Sequence, residues 1–349
     1  METKSGRKVK DIMDIGIDLG TANIMITMGS KGVVFYEPSV VAFNKKNGEI
    51  AAVGMEAYKM LGKTPDHIAV IRPLSDGVIS DYDMAESLIK ECIHRVTGRQ
   101  MLMPRIVMCV PSLITDVESR AVIEAARQAG AQKVYLIEEP VAALLGAGYD
   151  ISMAKGRMVV DIGGGTTDIA VLSMNGIVVK SSVKLAGNKI DAAIIKYVQS
   201  KYRVLIGEKT AENAKISLAN VFDPDGSREL AVKGRNLVTG LPAKVKLYDY
   251  DIYKATVDIA NELCDEVKSV LEQTPPELAG DIHSQGIVLT GGGALIGGMD
   301  KLIEKETKVR TYAADDPIRC VARGTGLAFK YMDSLLDGFE RISSFGYSE

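Results

Sequence analysis

One short pattern occurs twice in the chain, and that repetition limits the fold more than any other feature. The first copy reads Asp14-Ile-Gly-Ile-Asp18-Leu-Gly-Thr-Ala-Asn23-Ile-Met-Ile, and the second Met158-Val-Val-Asp161-Ile-Gly-Gly-Gly-Thr166-Thr-Asp168-Ile-Ala-Val. Each is an apolar strand ending in Asp, a Gly/Thr turn, and a second strand. The second copy continues through Asn175-Gly176, a dipeptide suited to a type I′ hairpin, and the first through Gly32 into Val33-Val34-Phe35-Tyr36. At 349 residues the chain is about twice the usual ~100 to 200 residues of one domain, so two related domains are expected.

Helices and strands alternate after each meander. In the first half the spacing predicts a helix near 81–97, a strand at 106–110, a helix opening on the capping box Thr115-Asp-Val-Glu118, a strand at 133–139 and a helix with Pro140 at its first position. In the second half it predicts a helix from Asn188, a long helix near 251–272, a strand at 286–289, a helix near 297–308, a strand near 309–313 and a last helix from Pro317. A βββαβαβα order given twice implies a mixed sheet covered by helices in each half. Stretches near 34–77 and 203–250 interrupt the pattern and read as smaller inserted subdomains.

Composition removes several classes. With 46% hydrophobic and 25% charged residues the chain is an ordinary globular protein, and 42 Lys+Arg against 45 Asp+Glu carry no signature of a nucleic-acid binder. Cys92, Cys109, Cys264 and Cys320 are far apart with no CxxC, which argues against zinc modules and a disulfide framework and for reduced, buried thiols in the cytoplasm. No apolar run approaches the ~18 residues that span a bilayer, and the basic N-terminus lacks the apolar region of a signal peptide.

A tight Gly-rich turn directs several backbone N–H groups into one concavity, as polyphosphate requires. Gly20-Thr21-Ala22-Asn23 and Gly163-Gly164-Gly165-Thr166 are both of that kind. Asp18 and Asp161 end the preceding strands, placed to hold hydrated Mg²⁺ through water. One such turn would be weak evidence; two in matching positions of duplicated halves place the phosphates in the cleft between domains. The cluster Thr290-Gly291-Gly292-Gly293-Ala294-Leu295, following an apolar strand, then reads as a flat platform for the nucleoside. Glu212 and Lys215, one helical turn apart, are candidates for ribose or base contacts, with an exposed ion pair as the alternative. Gly207-Glu-Lys-Thr210 lacks the GK pair of a P-loop.

These motifs together resemble the phosphate and adenosine motifs of the actin, chaperone-ATPase and sugar-kinase superfamily. Glu37-Pro-Ser-Val-Val41, Arg72-Pro-Leu-Ser-Asp-Gly-Val78, Ile137-Glu-Glu-Pro140 and Gly207-Glu-Lys-Thr-Ala-Glu212 narrow the likeness to the MreB/Mbl family of bacterial actin homologues, over about residues 14 to 330. The resemblance implies a duplicated ribonuclease-H-like fold. Its first large subdomain would comprise 1–33, 78–148 and 326–349 with a small one at 34–77, and its second 149–186 and 252–325 with a small one at 187–251. It implies ATP and Mg²⁺ in the cleft, with Gly187 among the nucleotide contacts and hydrolysis by Glu139 helped by Thr166. It departs from many relatives at Asn188, where an acidic residue is common.

The resemblance also implies assembly into filaments, pairing of protofilaments, and partners in the cell-wall elongation machinery and its transmembrane adaptors. Met101, Leu102 and Met103, flanked by Arg99 and Arg105, are expected to enter the interface of the anionic inner membrane with the arginines at headgroup level. The expected function is a cytoplasmic, membrane-associated cytoskeletal ATPase that sets rod shape. A chaperone would need a further substrate domain after the last motif, where this sequence soon ends. A small-molecule kinase, with Asp168 as base toward an acceptor hydroxyl, is the alternative.

Overall fold

A computed structural model describes residues 14–98, 104–332 and 339–341. Its two halves have the same strand order. In the first sheet Val33–Pro38, Asn23–Met28 and Asp14–Leu19 form an antiparallel meander, Arg105–Val110 and Lys133–Glu138 continue it in parallel, and Phe339–Arg341 closes the edge. In the second, Gly176–Val183, Thr167–Ser173 and Arg157–Ile162 are followed by Ile287–Thr290 and Thr311–Ala313 in the same way.

The inner strands are apolar throughout because both faces of each sheet are covered. Ile106 and Met108 point to a layer made with helices Tyr82–Thr97 and Asp116–Gln128, whereas Val107 and Cys109 point to the opposite side. That opposite side is a core shared by the halves: helices Glu139–Gly146 and Cys320–Tyr331 lie there, packed against Val107 and Ile137 of one sheet and Val159, Ala170 and Val288 of the other. Glycine lets these two helices meet. A Cβ at Gly146 would overlap the Cys320 carbonyl oxygen, and one at Gly324 the Ala142 carbonyl oxygen.

Each half carries an insert with its own small core. The first has strands Ile50–Val53, Val41–Asn44 and Ile68–Ile71 with helix Met55–Met60, around Val40, Ala42 and Ala57. The second packs helices Gly187–Tyr202 and Glu208–Leu218 on the hairpin Glu229–Asn236/Pro242–Tyr248, around Ile190, Ile194, Val198 and Leu247.

Several details differ from the expectations. Val33–Pro38 belongs to the large sheet, so the first insert starts after it rather than at residue 34. The expected boundary between 325 and 326 falls inside the continuous helix Cys320–Tyr331. The hairpin turn is Met174-Asn175, both at positive φ (52° and 62°), with Ser173 paired to Gly176; it lies one residue before the expected dipeptide. Pro140 is the second residue of its helix, after Glu139. Arg105 makes a bidentate ion pair with Asp14 (both contacts 2.7 Å) and stacks over Phe329, so it is engaged by the fold rather than turned to lipid headgroups. Met101, Leu102, Met103 and Arg99, and the basic N-terminal tail, lie outside the described residues.

The four cysteines are free and buried, as expected for structural thiols. Among the described residues no helix is long and apolar enough to cross a membrane. Gly146→Ala forces a methyl group into the helix contact between the halves. It should lower the unfolding free energy by about 1–3 kcal/mol, measured by chemical denaturation.

Candidate functional site

The two Gly/Thr turns have the same construction. Gly20 N–H donates to the Asn23 carbonyl (3.0 Å) and Gly163 N–H to the Thr166 carbonyl (2.9 Å), so each strand reverses in four residues. The turns face each other across the halves at contact distance. A Cβ on Gly164 would lie 2.7 Å from that of Ala22, and one on Gly165 would overlap the Thr21 hydroxyl. That hydroxyl accepts the Gly77 N–H (3.0 Å), tying the strand turn before helix Tyr82–Thr97 to this one. Between the turns opens a cleft of about 360 Å³.

Three acids line its floor and a fourth lies buried behind them. Asp18 and Asp161 end their strands, Asp168 follows the second turn, and Glu139 opens the helix Glu139–Gly146. Glu138, the neighbour of Glu139, points elsewhere and pairs with Lys180 (2.7 Å), so only Glu139 of the two lines the cleft. Burial raises the Asp18 carboxyl to about 6, against a hydrogen bond from the Cys109 thiol, and the Asp161 carboxyl to about 7, against one from Thr290. Glu139 is held well above the ordinary range by burial and then by the charges of Asp168, Asp161 and Asp18. Burial also raises Asp168, although the Ser112 N–H donates to it (2.7 Å). Its second oxygen is buried without a hydrogen-bond partner among the described residues, and its charge is the first of those that raise Glu139.

None of the four has an ion-pair partner among the described residues. Desolvated, unneutralised acids of this kind fit a divalent cation. No three of them converge to ligate a metal directly among the described residues, so a cation held here would keep part of its water shell.

The rest of the cleft is built for something flatter. Gly187, at the start of helix Gly187–Tyr202, donates its N–H to the Gly163 carbonyl (3.1 Å), and Asn188 donates to that of Gly164 (2.8 Å), so this helix begins against the second turn. Lys215 Nζ reaches the Gly187 carbonyl (3.1 Å) and Asp191 (2.8 Å). Glu212 accepts a short hydrogen bond from the Tyr58 hydroxyl (2.5 Å), which joins the two inserts across the mouth of the cleft. Lys209 sits over the same tyrosine ring. Ile216 and Leu295, 74% and 59% exposed, offer apolar surface beside Gly291, Gly292 and Gly293.

The structure brings together Gly20, Thr21, Ala22, Asn23, Gly163, Gly164, Gly165, Thr166, Gly187, Glu212, Lys215, Gly291, Gly292, Gly293 and Leu295, with Asp18, Asp161 and Glu139. Ala294 is the exception: the short 3-10 turn Gly292–Leu295 turns its methyl group into the core of the second half. Asp168 is fully buried behind the lining. Sequence reasoning missed Tyr58 and Asp191, whose roles arise only from contacts between inserts and between helices; it missed Cys109 and Thr290 as partners of the cleft aspartates, although the strand registers predict them.

Two duplicated mixed sheets, each with an inserted subdomain, closing on one cleft of facing Gly turns and buried acids, define the actin-like ATPase fold. The model of the MreB/Mbl protein family matches residues 12–337, and the chain belongs to that family. It is 47% identical over 323 residues to the cell shape-determining protein Mbl of Bacillus subtilis, covering 92% of this chain and 97% of that one. It is 47% identical over 326 residues to the cell shape-determining protein MreB of Escherichia coli, covering 92% and 94%. The crystal structure of MreB5 of Spiroplasma citri bound to ADP superposes with a TM-score of 0.88 at 39% identity, covering 92% and 97%, and MreB5 bound to AMPPNP gives 0.88 at 38%.

The buried acids make the nucleotide-free protein sensitive to pH. Asp18 and Asp161 have folded-state values above the ~3.9 of an unfolded aspartate, so the protonated forms favour the fold. Their contribution is complete below about pH 4 and is lost as pH rises through 6 to 7. Between about pH 4 and 7 the unfolding free energy of the nucleotide-free protein should therefore fall, by up to about 1.4 kcal/mol per pH unit for each proton involved. Asp161→Asn should flatten that slope in denaturation curves, and Mg²⁺ with nucleotide should reduce it in the wild type.

Proposed function

We propose that this protein is a Mg²⁺-dependent ATPase that couples hydrolysis to assembly into filaments, at the cytoplasmic face of the plasma membrane, where it organises cell-wall synthesis and rod shape. The observation that carries the reading is the cleft in which both phosphate-type turns meet Asp18, Asp161 and Glu139, in a chain of the MreB/Mbl family. MreB5, a 39% identical relative, has a crystal structure bound to ADP, and the Bacillus subtilis and Escherichia coli relatives are named for cell shape.

In this reading the N–H groups of residues 20–23 and 163–166 hold the phosphates, and the N-terminal turn of helix Gly187–Tyr202 adds its dipole. Bound Mg²⁺ supplies neutralisation of phosphate charge. Asp18 and Asp161 face its waters. The nucleoside lies between Glu212, Lys215 and Ile216 on one side and Gly291, Gly292, Gly293 and Leu295 on the other. Glu139, opening its helix at the cleft, takes a proton from the attacking water. Thr166, beside it in the second turn, positions that water. Phosphoryl transfer needs placement and charge compensation rather than a covalent nucleophile.

Asp168, the base that a small-molecule kinase would use, has no exposed surface and accepts from Ser112, which disfavours that alternative. Self-assembly, anionic lipids and the wall-elongation machinery with its transmembrane adaptors are the partners proposed; nucleic acid is not among them.

The wild type should sediment with ATP and Mg²⁺ and release phosphate without an acceptor. Phosphorylation of small alcohols or acids without sedimentation would overturn the reading. Glu139→Gln should keep nucleotide binding while phosphate release falls by about 10² to 10⁴. Replacing Met101, Leu102 and Met103 together with serine should abolish flotation with anionic vesicles and leave ATP-dependent sedimentation intact.

A further inference from the structure

Duplication allows the halves to be compared position by position. In each, the strand that ends in a cleft aspartate runs parallel to the next strand of its sheet. In the second half Asp161 is the register partner of Thr290. In the first, the ladder that reaches Ile17↔Met108, continued by one residue, sets Asp18 beside Cys109. Cys109 and Thr290 therefore occupy one and the same position of the repeated fold.

Their side chains also do the same thing. The Thr290 hydroxyl donates to Asp161 Oδ1 at 2.6 Å, and the Cys109 thiol donates to Asp18 Oδ1 at 3.2 Å. Both donors are buried, and neither lines the cleft. No other hydrogen bond from the described residues reaches either carboxylate. One oxygen of each aspartate is thus held from behind, and the other is left for the cleft.

We propose that Cys109 and Thr290 are equivalent positioning residues that turn the second oxygens of Asp18 and Asp161 toward the hydrated Mg²⁺ of a bound nucleotide. The inference rests on the reading of the cleft as a Mg²⁺–nucleotide site. The two are not equal in strength. A hydroxyl is a full hydrogen-bond donor and a thiol a weak one, so Asp161 is held stiffly and Asp18 more loosely. Partners behind a metal-facing group commonly change metal affinity by about 10- to 100-fold when removed.

The test is a Mg²⁺ titration of the binding of a fluorescent ADP analogue. Thr290→Val should raise the Mg²⁺ needed for half-maximal binding by roughly tenfold. Cys109→Ala should raise it by less, Thr290→Cys should fall between wild type and Thr290→Val, and Cys109→Thr should need no more Mg²⁺ than wild type. Binding of the analogue in EDTA should not change. Unchanged Mg²⁺ requirements in Thr290→Val and Cys109→Ala would overturn the proposal, as would an equal loss of binding in EDTA, which marks a merely structural role. If Thr290→Val does not fold, Thr290→Cys, which keeps a weak donor at the same position, must still shift the requirement upward, and no shift there overturns the proposal equally. A wild type that binds the analogue with no Mg²⁺ dependence would instead refute the underlying reading of the cleft.

Discussion

The approach of one Gly turn to the other across the two halves is the contact on which the site depends. Ala22 and Thr21 from the first turn meet Gly164 and Gly165 from the second with no room for a further Cβ. Without that approach each turn would be an ordinary strand reversal, open to water. With it, the strand ends converge and Asp18, Asp161, Asp168 and Glu139 are drawn into one desolvated space. Their mutual repulsion and burial oppose closure, so the empty cleft favours protons or a cation. The shared core around helices Glu139–Gly146 and Cys320–Tyr331 stabilises the closed arrangement through apolar burial drawn from both sheets.

Duplication explains both the symmetry and its failure. Asp18 and Asp161 are equivalent, and so are the donors behind them. The next cross-strand partners are not: Asp18 pairs with Met25, whereas Asp161 pairs with Asp168. Glu139 comes from the first half and Asp168 from the second. Each half therefore contributes one member of the acid pair, and neither half holds the pair alone. The Tyr58–Glu212 hydrogen bond adds a second link between the halves, at the mouth of the cleft rather than its floor.

The large sheets were legible because their signals are local. Apolar runs ending in Asp and Gly, the Thr115–Glu118 capping box, and the 3.6-residue spacing in helix Asp249–Gln273 each lie within one element. What was not legible depends on contacts between elements. Tyr58 meets Glu212 from a different insert, and Asp191 meets Lys215 from a neighbouring helix. Ala294 lies within a Gly-rich run that reads as uniform surface, and only the 3-10 turn decides that its methyl group faces inward. The Arg105–Asp14 pair was overlooked for another reason: the parallel register Asp14↔Arg105 places the two side by side, and a lipid-facing reading of the preceding loop ignored that strand. The hairpin of the second insert, Glu229–Asn236 with Pro242–Tyr248, is largely exposed, so its sequence lacks the apolar signal of a core strand.

The central claim is that the facing turns hold one polyphosphate between them. A crystal structure grown with AMPPNP and Mg²⁺ tests it most directly. The account predicts one nucleotide per chain, its phosphates within hydrogen-bond distance of backbone N–H groups from both residues 20–23 and residues 163–166, and the Mg²⁺ separated from Asp18 and Asp161 by water. Phosphates bound to one turn alone, or nucleotide density outside the cleft, would contradict it.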